Sequence, residues 1–213
     1  MKNRIIIFLI YIFFFVPVLA ENLNIQSSII TVDKKTKITI FKNQVSVKDE
    51  KNNQLLTESA EYNKDLQILK TFGKTTVMTS GGFTIEGQDI FFDNNKNYIK
   101  SDSPATVLDL EKNKIYLDNF KYSTSDGFFK SAGKIEIIDS KNNKYNFSQI
   151  YIDEKKKEIV GTDSKAFLNQ EDLKINKDNK PRVFSNTINM YEQKTKFTTA
   201  VSSTLNLRTK LEV

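Results

Sequence analysis

The feature that most constrains this fold is a 30-residue spacing that repeats without a gap along most of the chain. One column of apolar residues at this spacing, each followed by a turn-forming residue, consists of Val32, Tyr62, Phe92, Tyr122 and Ile152. Further columns in the same register are Val47, Val77, Val107, Ile137 and Phe167; Ile30, Ala60, Ile90, Phe120 and Ile150; and Ile38, Ile68, Tyr98 and Phe128. Stacked copies of one supersecondary unit predict an extended architecture with one continuous interior.

Residues 1–20 have the pattern of a secretory signal peptide. Lys2 and Arg4 are basic, residues 5–16 are almost unbroken apolar sequence, and small residues precede a cleavage site between Ala20 and Glu21. An uncleaved anchor is the alternative, but this apolar run is shorter than the roughly 20 residues that a membrane span needs. We therefore expect export and a mature chain that begins at Glu21.

The composition restricts the possible chemistry. The chain contains no Cys and no His, so it has no disulfide framework, no thiol nucleophile and none of the usual zinc ligands. Carboxylates remain available as catalytic groups, but the acidic residues cluster in turns and form no evident pair. We expect a protein that is not an enzyme, with no catalytic residue, metal site or cofactor.

The net charge of +6 has two interpretations. Lys supplies nearly all of it, and Arg occurs only at positions 4, 182 and 208. Abundant Lys is typical of a chain from an AT-rich genome, with the lysines in solvated turns. Alternatively, the charge attracts an anionic partner such as lipid phosphates. Export and the scarcity of Arg argue against a nucleic-acid partner.

Turn signals occur twice in every unit. One set covers residues 63–65, 93–96, 125–127 and 153–157, and the other covers 49–53, 80–82, 111–113 and 140–143. Gly, Asn and Asp favour such turns, and the segments between them are roughly 8–11 residues long, which suits strands. Apolar and polar residues alternate in these segments. The sequence predicts an all-β fold of antiparallel hairpins with open strand edges at both ends of the stack.

The repeat weakens toward the C-terminus. Repeats are expected within 21–170, a polar loop over 171–181, a last hairpin over 182–201 and a frayed tail over 202–213.

Several segments resemble the OstA-like repeat of Gram-negative lipopolysaccharide-transport proteins. The matching segments are Ser59–Asn63, Ile68–Val77, Asp89–Asp93, Phe120–Ser123 and Ser131–Ile137. The resemblance covers roughly residues 25 to 170 and rests on the pattern rather than on an invariant signature.

This resemblance implies an elongated antiparallel β-jellyroll whose apolar interior passes lipopolysaccharide toward the outer membrane. All four columns become candidates for lining that interior. The implied partners are lipopolysaccharide, other jellyroll proteins that join by edge-to-edge strand pairing, and an outer-membrane barrel if the reading frame continues. No catalytic residue carries over, because the family has none in this domain.

The C-terminal segments at 181–186 and 196–201 resemble the end of the N-terminal periplasmic domain of LptD-type assembly proteins. The chain then departs from that pattern, because Ser202-Ser203-Thr204 stands where a Cys-containing segment would follow. Two expectations stay open: a truncated assembly protein, or a stand-alone bridge protein of the LptA type.

Other functions are compatible with the same columns. They can form an ordinary dry core, in which case the chain is an exported structural or adhesive β-repeat protein. A carboxylate-based glycan hydrolase on a β-solenoid is a third hypothesis, and it requires inward-facing acids on neighbouring strands.

Overall fold

The computed structural model describes residues 23–169, 181–191 and 194–203, and all regular structure in these ranges is β-strand. The strands are β1 (Asn24–Gln26), β2 (Ile29–Asp33), β3 (Ile38–Lys48), β4 (Gln54–Asn63), β5 (Ile68–Met78), β6 (Thr84–Gln88), β7 (Phe91–Asp93), β8 (Tyr98–Ser101), β9 (Ala105–Leu108), β10 (Lys114–Leu117), β11 (Phe120–Ser123), β12 (Phe128–Ile138), β13 (Lys144–Asp153), β14 (Glu158–Phe167), β15 (Arg182–Tyr191) and β16 (Lys194–Ser203). All their pairings are antiparallel. The predicted all-β antiparallel jellyroll class is confirmed.

Some sequence predictions lie outside the described residues. They are the signal peptide at 1–20, the polar loop up to residue 180 and the tail beyond residue 203. Pro181 and the strand pair β15 and β16 are described, and these two strands pair as a hairpin. Among the described residues, no helix is long and apolar enough to cross a membrane.

The 30-residue period corresponds to two strands and two turns. Val47 lies opposite Leu55, Leu55 lies opposite Val77, and Val77 lies opposite Ile85. Moving two strands along the sheet therefore advances the sequence by one full unit. A residue and its repeat equivalent occupy the same height on alternate strands, which is why the columns persist.

Corners divide the sheet into two layers. The long strands change register between Lys42 and Val45 in β3 and between Ala132 and Ile135 in β12, while β5 pairs with β6 beyond the corner and with β7 before it. We call the layer that contains Val47 and its partners layer 1. Layer 2 contains Leu69 and its partners, and both layers contribute to one hydrophobic core.

The corner positions also follow the repeat. Asn43, Gly73, Gly133 and Asp163 have φ angles of 62°, 79°, 114° and 51°, and they are spaced by one, two and one units. Glycine adopts this left-handed region without the steric cost that other residues incur, and Asn and Asp tolerate it better than most. These left-handed residues mark where β3, β5, β12 and β14 bend from layer 2 into layer 1.

The turns of layer 2 share one hydrogen-bonding pattern. In each, the first side chain accepts a backbone N–H from two or three residues further along, as Asn63 accepts from Leu66 at 3.0 Å and Asp93 accepts from Lys96 at 2.9 Å. The equivalent acceptors in the other turns are Asp33, Ser123 and Asp153. These residues were identified from sequence as turn formers, and their side chains explain that preference.

Candidate functional site

The interior of layer 1 is a continuous row of residues in strand register. It consists of Val47, Leu55, Val77, Ile85, Val107, Ile115, Ile137, Tyr145, Ala166 and Val183. Every member is buried, at 4% exposure or less. Neighbouring strands in a sheet are about 4.8 Å apart, so the row forms an unbroken apolar surface across ten strands.

Layer 2 has a matching inner row. It consists of Thr39, Tyr62, Leu69, Phe92, Ile99, Tyr122, Phe129, Ile152, Ile159 and Met190. Four of its ten members, Tyr62, Phe92, Tyr122 and Ile152, are predicted candidates. Leu69, Ile99 and Phe129 were missed, although they also repeat every 30 residues, directly after the predicted column of Ile68, Tyr98 and Phe128.

The corner between the layers combines large and small side chains. Ala60, Ile90, Phe120 and Ile150 of the predicted columns are all buried. Between them lie Thr71, Ser101, Ser131 and Gly161, again at the repeat spacing. Ile90 donates its N–H to the Thr71 hydroxyl at 2.8 Å, and the Ser101 hydroxyl donates to the Gln88 carbonyl at 2.8 Å. Such hydroxyls satisfy backbone groups where the bending strands interrupt the sheet.

Most candidates of the other columns also face the interior. Val47, Val77, Val107, Ile137 and Ile152 are buried, and Tyr62 is half-buried. The fourth column lies on the opposite face of layer 2. Ile38, Ile68 and Tyr98 are half-buried there, and Phe128 is 38% exposed. Successive side chains in a strand point to opposite faces, so the interior position belongs to the residue that follows each of them.

Ile30 and Val32 are at inward-facing positions but are 56% and 60% exposed. They belong to β2, and β3 is the one described strand that pairs with it. No further strand of layer 2 lies beyond β2 among the described residues, so these two side chains are open to solvent at the end of the stack.

Phe167 lies on the outer face of layer 1. The Arg182 guanidinium carbon is 5.7 Å from the centroid of its ring. In β12 the inward residues on either side of the corner, Ser131 and Ile135, are four positions apart in the sequence. In β14 the corresponding residues, Gly161 and Ser164, are three positions apart. The corner in β14 is therefore one residue shorter, and this reverses the face on which the following side chains lie. Ala166 takes the interior place.

Side chains fill the interior near the corner. Phe120 and Phe129 stack with their centroids 5.5 Å apart. A Cβ atom at Gly161 would overlap the ring of Phe147, and one at Gly87 would lie 3.8 Å from Phe120. A guest acyl chain would have to displace these rings or enter farther from the corner, near the turns.

One half-buried carboxylate links the two layers at their turn ends. Glu154, in a layer 2 turn, accepts hydrogen bonds from the Thr79 hydroxyl of a layer 1 turn and from the Tyr122 hydroxyl, both at 2.8 Å. Burial raises the pKa of Glu154. Burial, and secondarily the adjacent carboxylate of Glu154, raise the pKa of Tyr122, which keeps it a donor. The hydrogen bond between Thr79 and Glu154, which are 75 positions apart in the sequence, therefore joins the turn ends of the two layers next to the inner row of layer 2.

Among the described residues, no group of three or more His, Cys, Asp or Glu side chains could hold a metal ion.

No family model and no curated protein matches the sequence. Among solved structures, the chain is similar to the crystal structure of LptH from Pseudomonas aeruginosa, the LptA homologous periplasmic component of its lipopolysaccharide transport device. The identity is 12%, the similarity covers 67% of this chain and 82% of LptH, and the TM-score is 0.28. This score is too low to carry a conclusion about function, and the fold described above rests on the strand pairing of the chain itself.

Proposed function

We propose that this chain is an exported, periplasmic lipopolysaccharide-binding and transport protein whose interior holds acyl chains between the two inner rows. The observation that carries the proposal is the continuity of these rows. They face one core from β3 to β15 with few polar members, so an extended apolar guest would meet the same environment along the whole stack.

The energetics favour such a guest. Burial of each acyl CH₂ group contributes about 0.8 kcal/mol, which can offset the displacement of side chains. Passage from one unit to the next requires no new chemistry, because each unit repeats the last. The role is passive and non-catalytic, and it needs no cofactor.

The resemblance to OstA-like repeats supports the same role and suggests how the protein is arranged in the periplasm. Ile29, Ile30 and Val32 are exposed on β2, and an added strand from another jellyroll protein would cover them. Unpaired edges normally need such protection. The chain would then act in a bridge toward the outer membrane, as an LptA-type component or as the periplasmic part of an LptD-type assembly protein.

Photo-crosslinking from adjacent positions tests the proposal. Benzoylphenylalanine at Ile99 would point into the interior, whereas at Tyr98 it would point outward from the same strand. Phe92 and Phe128 form a second inner and outer pair. With detergent-dispersed lipopolysaccharide and no bilayer present, we expect crosslinks from Ile99 and Phe92 and none from Tyr98 and Phe128. Crosslinks from the outer positions only would show that the interior does not bind lipid.

An exported structural protein with a dry core is the second candidate. The stacking of Phe120 on Phe129 and the contact of Gly161 with Phe147 favour it, because they leave the corner region filled. Native mass spectrometry of the protein purified from a lipopolysaccharide-producing host separates the two functions. A transport protein should retain lipid, whereas a dry core should give only the mass of the polypeptide.

A further inference from the structure

The outer face of layer 2 carries a row of lysines and aromatic residues that the interior site does not use. In strand register the row is Glu61, Lys70, Phe91, Lys100, Lys121, Lys130 and Tyr151. Tyr98 and Phe128 lie beside it in the next row, opposite Ser123 on their neighbouring strand. We call these residues the lysine–aromatic face.

The central lysines lie side by side. Lys100 is opposite Lys121, and Lys121 is opposite Lys130, on the adjacent strands β8, β11 and β12. Neighbouring strands are about 4.8 Å apart, which is within the Debye length of about 8 Å at physiological ionic strength. Like charges in directly opposite positions destabilise a sheet. The arrangement therefore has a cost in the isolated protein that a bound anionic surface would relieve.

Few acidic groups offset these charges. Asp102 accepts a hydrogen bond from Lys100 at 2.9 Å, and this interaction raises the pKa of Lys100. Glu61 ends the row beyond Lys70. Asp153 lies opposite Phe128, but it forms an ion pair with Lys156 of its own turn at 3.2 Å. Among the described residues, Lys121 and Lys130 form no ion pair.

Each aromatic ring of this face packs against a lysine or another ring. The Lys121 ammonium is 4.0 Å from the centroid of Tyr98, which in turn stacks on Phe91 at 6.0 Å. Phe128 and Tyr151 form a second pair at 6.1 Å and are 38% and 37% exposed. Binding of single-stranded nucleic acid requires ring faces that are free to stack with bases. Aromatic residues beside lysines are typical of the boundary between water and lipid headgroups.

We propose that the lysine–aromatic face docks on the surface of a bilayer that contains anionic phospholipid, with Lys100, Lys121 and Lys130 against the headgroup phosphates and Phe128 and Tyr151 at the headgroup level. This docking is separate from any lipid in the interior. It would hold the outside of layer 2 against a membrane while the inner rows stay within the roll.

Flotation with vesicles that lack lipopolysaccharide tests this docking independently of the transport role. We expect the protein to float with vesicles of phosphatidylethanolamine and phosphatidylglycerol, and not with phosphatidylcholine alone. The variant Lys100→Gln/Lys121→Gln/Lys130→Gln should bind about 100-fold more weakly, because each lysine near an anionic surface contributes roughly fivefold. Raising the salt concentration should weaken binding of the wild type.

A matched control is available on layer 1. Lys48, Lys114 and Lys144 are exposed there, and their replacement by Gln changes the net charge equally. This control should bind like the wild type. Equal weakening of vesicle binding in both triple variants would show that only net charge matters and would overturn the proposal. The proposal would also be overturned if a single-stranded oligonucleotide displaced the protein from the vesicles at the concentrations used for vesicle binding.

The chain has no Trp, so one introduced Trp is an unambiguous reporter. The fluorescence of Phe128→Trp or Tyr151→Trp should shift to the blue when anionic vesicles are added, whereas that of Tyr116→Trp on layer 1 should not. A shift at Tyr116 and none at Phe128 or Tyr151 would place the membrane on the wrong face and contradict the proposal. Circular dichroism of each variant confirms that it is folded.

Discussion

The outer faces of the two layers share a backbone plan but differ in chemistry. The outer row of layer 1 that lies directly beside its inner row corresponds to the lysine row of layer 2. It consists of Ser46, Leu56, Thr76, Glu86, Thr106, Tyr116, Glu136, Asn146 and Lys165. No two lysines are opposite each other in that row, whereas Lys121 of layer 2 is opposite a lysine on both sides. The inner rows of the two layers are alike. The need to bury a core explains why both inner rows are apolar. It does not explain why opposed lysines occur on the outer face of layer 2 and not in this outer row of layer 1.

The largest expected effect tests whether the two interiors are equally packed. Ile99→Ala in layer 2 and Ile115→Ala in layer 1 should each lower the free energy of unfolding by about 2–5 kcal/mol, because both side chains are buried and their removal leaves a cavity. Urea denaturation followed by circular dichroism measures this.

The exposed residues Leu108 and Phe128 serve as controls for the two layers, and their replacement by Ala should cost about 1 kcal/mol or less. If Ile99→Ala were neutral while Ile115→Ala was costly, layer 2 would contain space that is already open, and the interiors would not be equivalent.

The second effect concerns the link between the layers. Burial raises the pKa of Glu154 in the folded protein, so the stability of its neutral form is present below the ordinary glutamate pKa and is lost as the pH rises through the raised value. The free energy of unfolding of the wild type should therefore increase relative to that of Glu154→Gln as the pH falls from about 7 to about 4.

Glu111→Gln removes the same charge from an exposed turn of layer 1 and provides the comparison. Parallel pH profiles of the wild type and Glu154→Gln would show that the bridge to Thr79 and Tyr122 is not a titrating link between the layers.

A smaller effect tests the cost of the lysine row. Lys121→Glu replaces two repulsive cross-strand pairs by attractive ones and loses the contact with Tyr98, so the free energy of unfolding should rise by roughly 0.5 kcal/mol. Thermal denaturation at low salt should detect it. Thr106→Glu, placed opposite Glu86 on layer 1, should have the reverse sign. A loss of stability with Lys121→Glu would mean that the row is not under electrostatic strain.

An effect of similar size tests whether the turns of the two layers are equivalent. Lys157 in layer 2 and Lys112 in layer 1 have φ angles of 53° and 66°. Replacement of either by Gly should stabilise the protein by about 0.5 kcal/mol, because relief of the left-handed strain exceeds the entropy cost of glycine. Thermal denaturation of the two single variants measures this. Stabilisation in one layer only would show that the turns are not equivalent.

Much of the fold could be predicted because the repeat carries it. Turn residues such as Asn63 and Asp93 act locally, and a turn at every half unit fixes the strand lengths and the antiparallel pairing. Most members of the columns that contain Val77, Ile90 and Phe92 could be predicted to face the interior because apolar residues recur there, whereas Phe167 of the first column lies outside. The choice between Ile68 and Leu69 could not be made from the spacing, since adjacent apolar residues repeat equally well.

The sequence by itself determined the period, the turns, the all-β class and the apolar columns from which part of the interior is drawn. Only the tertiary structure decided which face each column occupies, because one residue more or less at a corner, as in β14, reverses every side chain that follows. It also brought Glu154 to Thr79 and placed Lys121 between Lys100 and Lys130. Lys121 and Lys130 belong to one hairpin, but the pairing of Lys100 with Lys121 and the contact of Thr79 with Glu154 join segments that are separated in the sequence, and no local pattern encodes them.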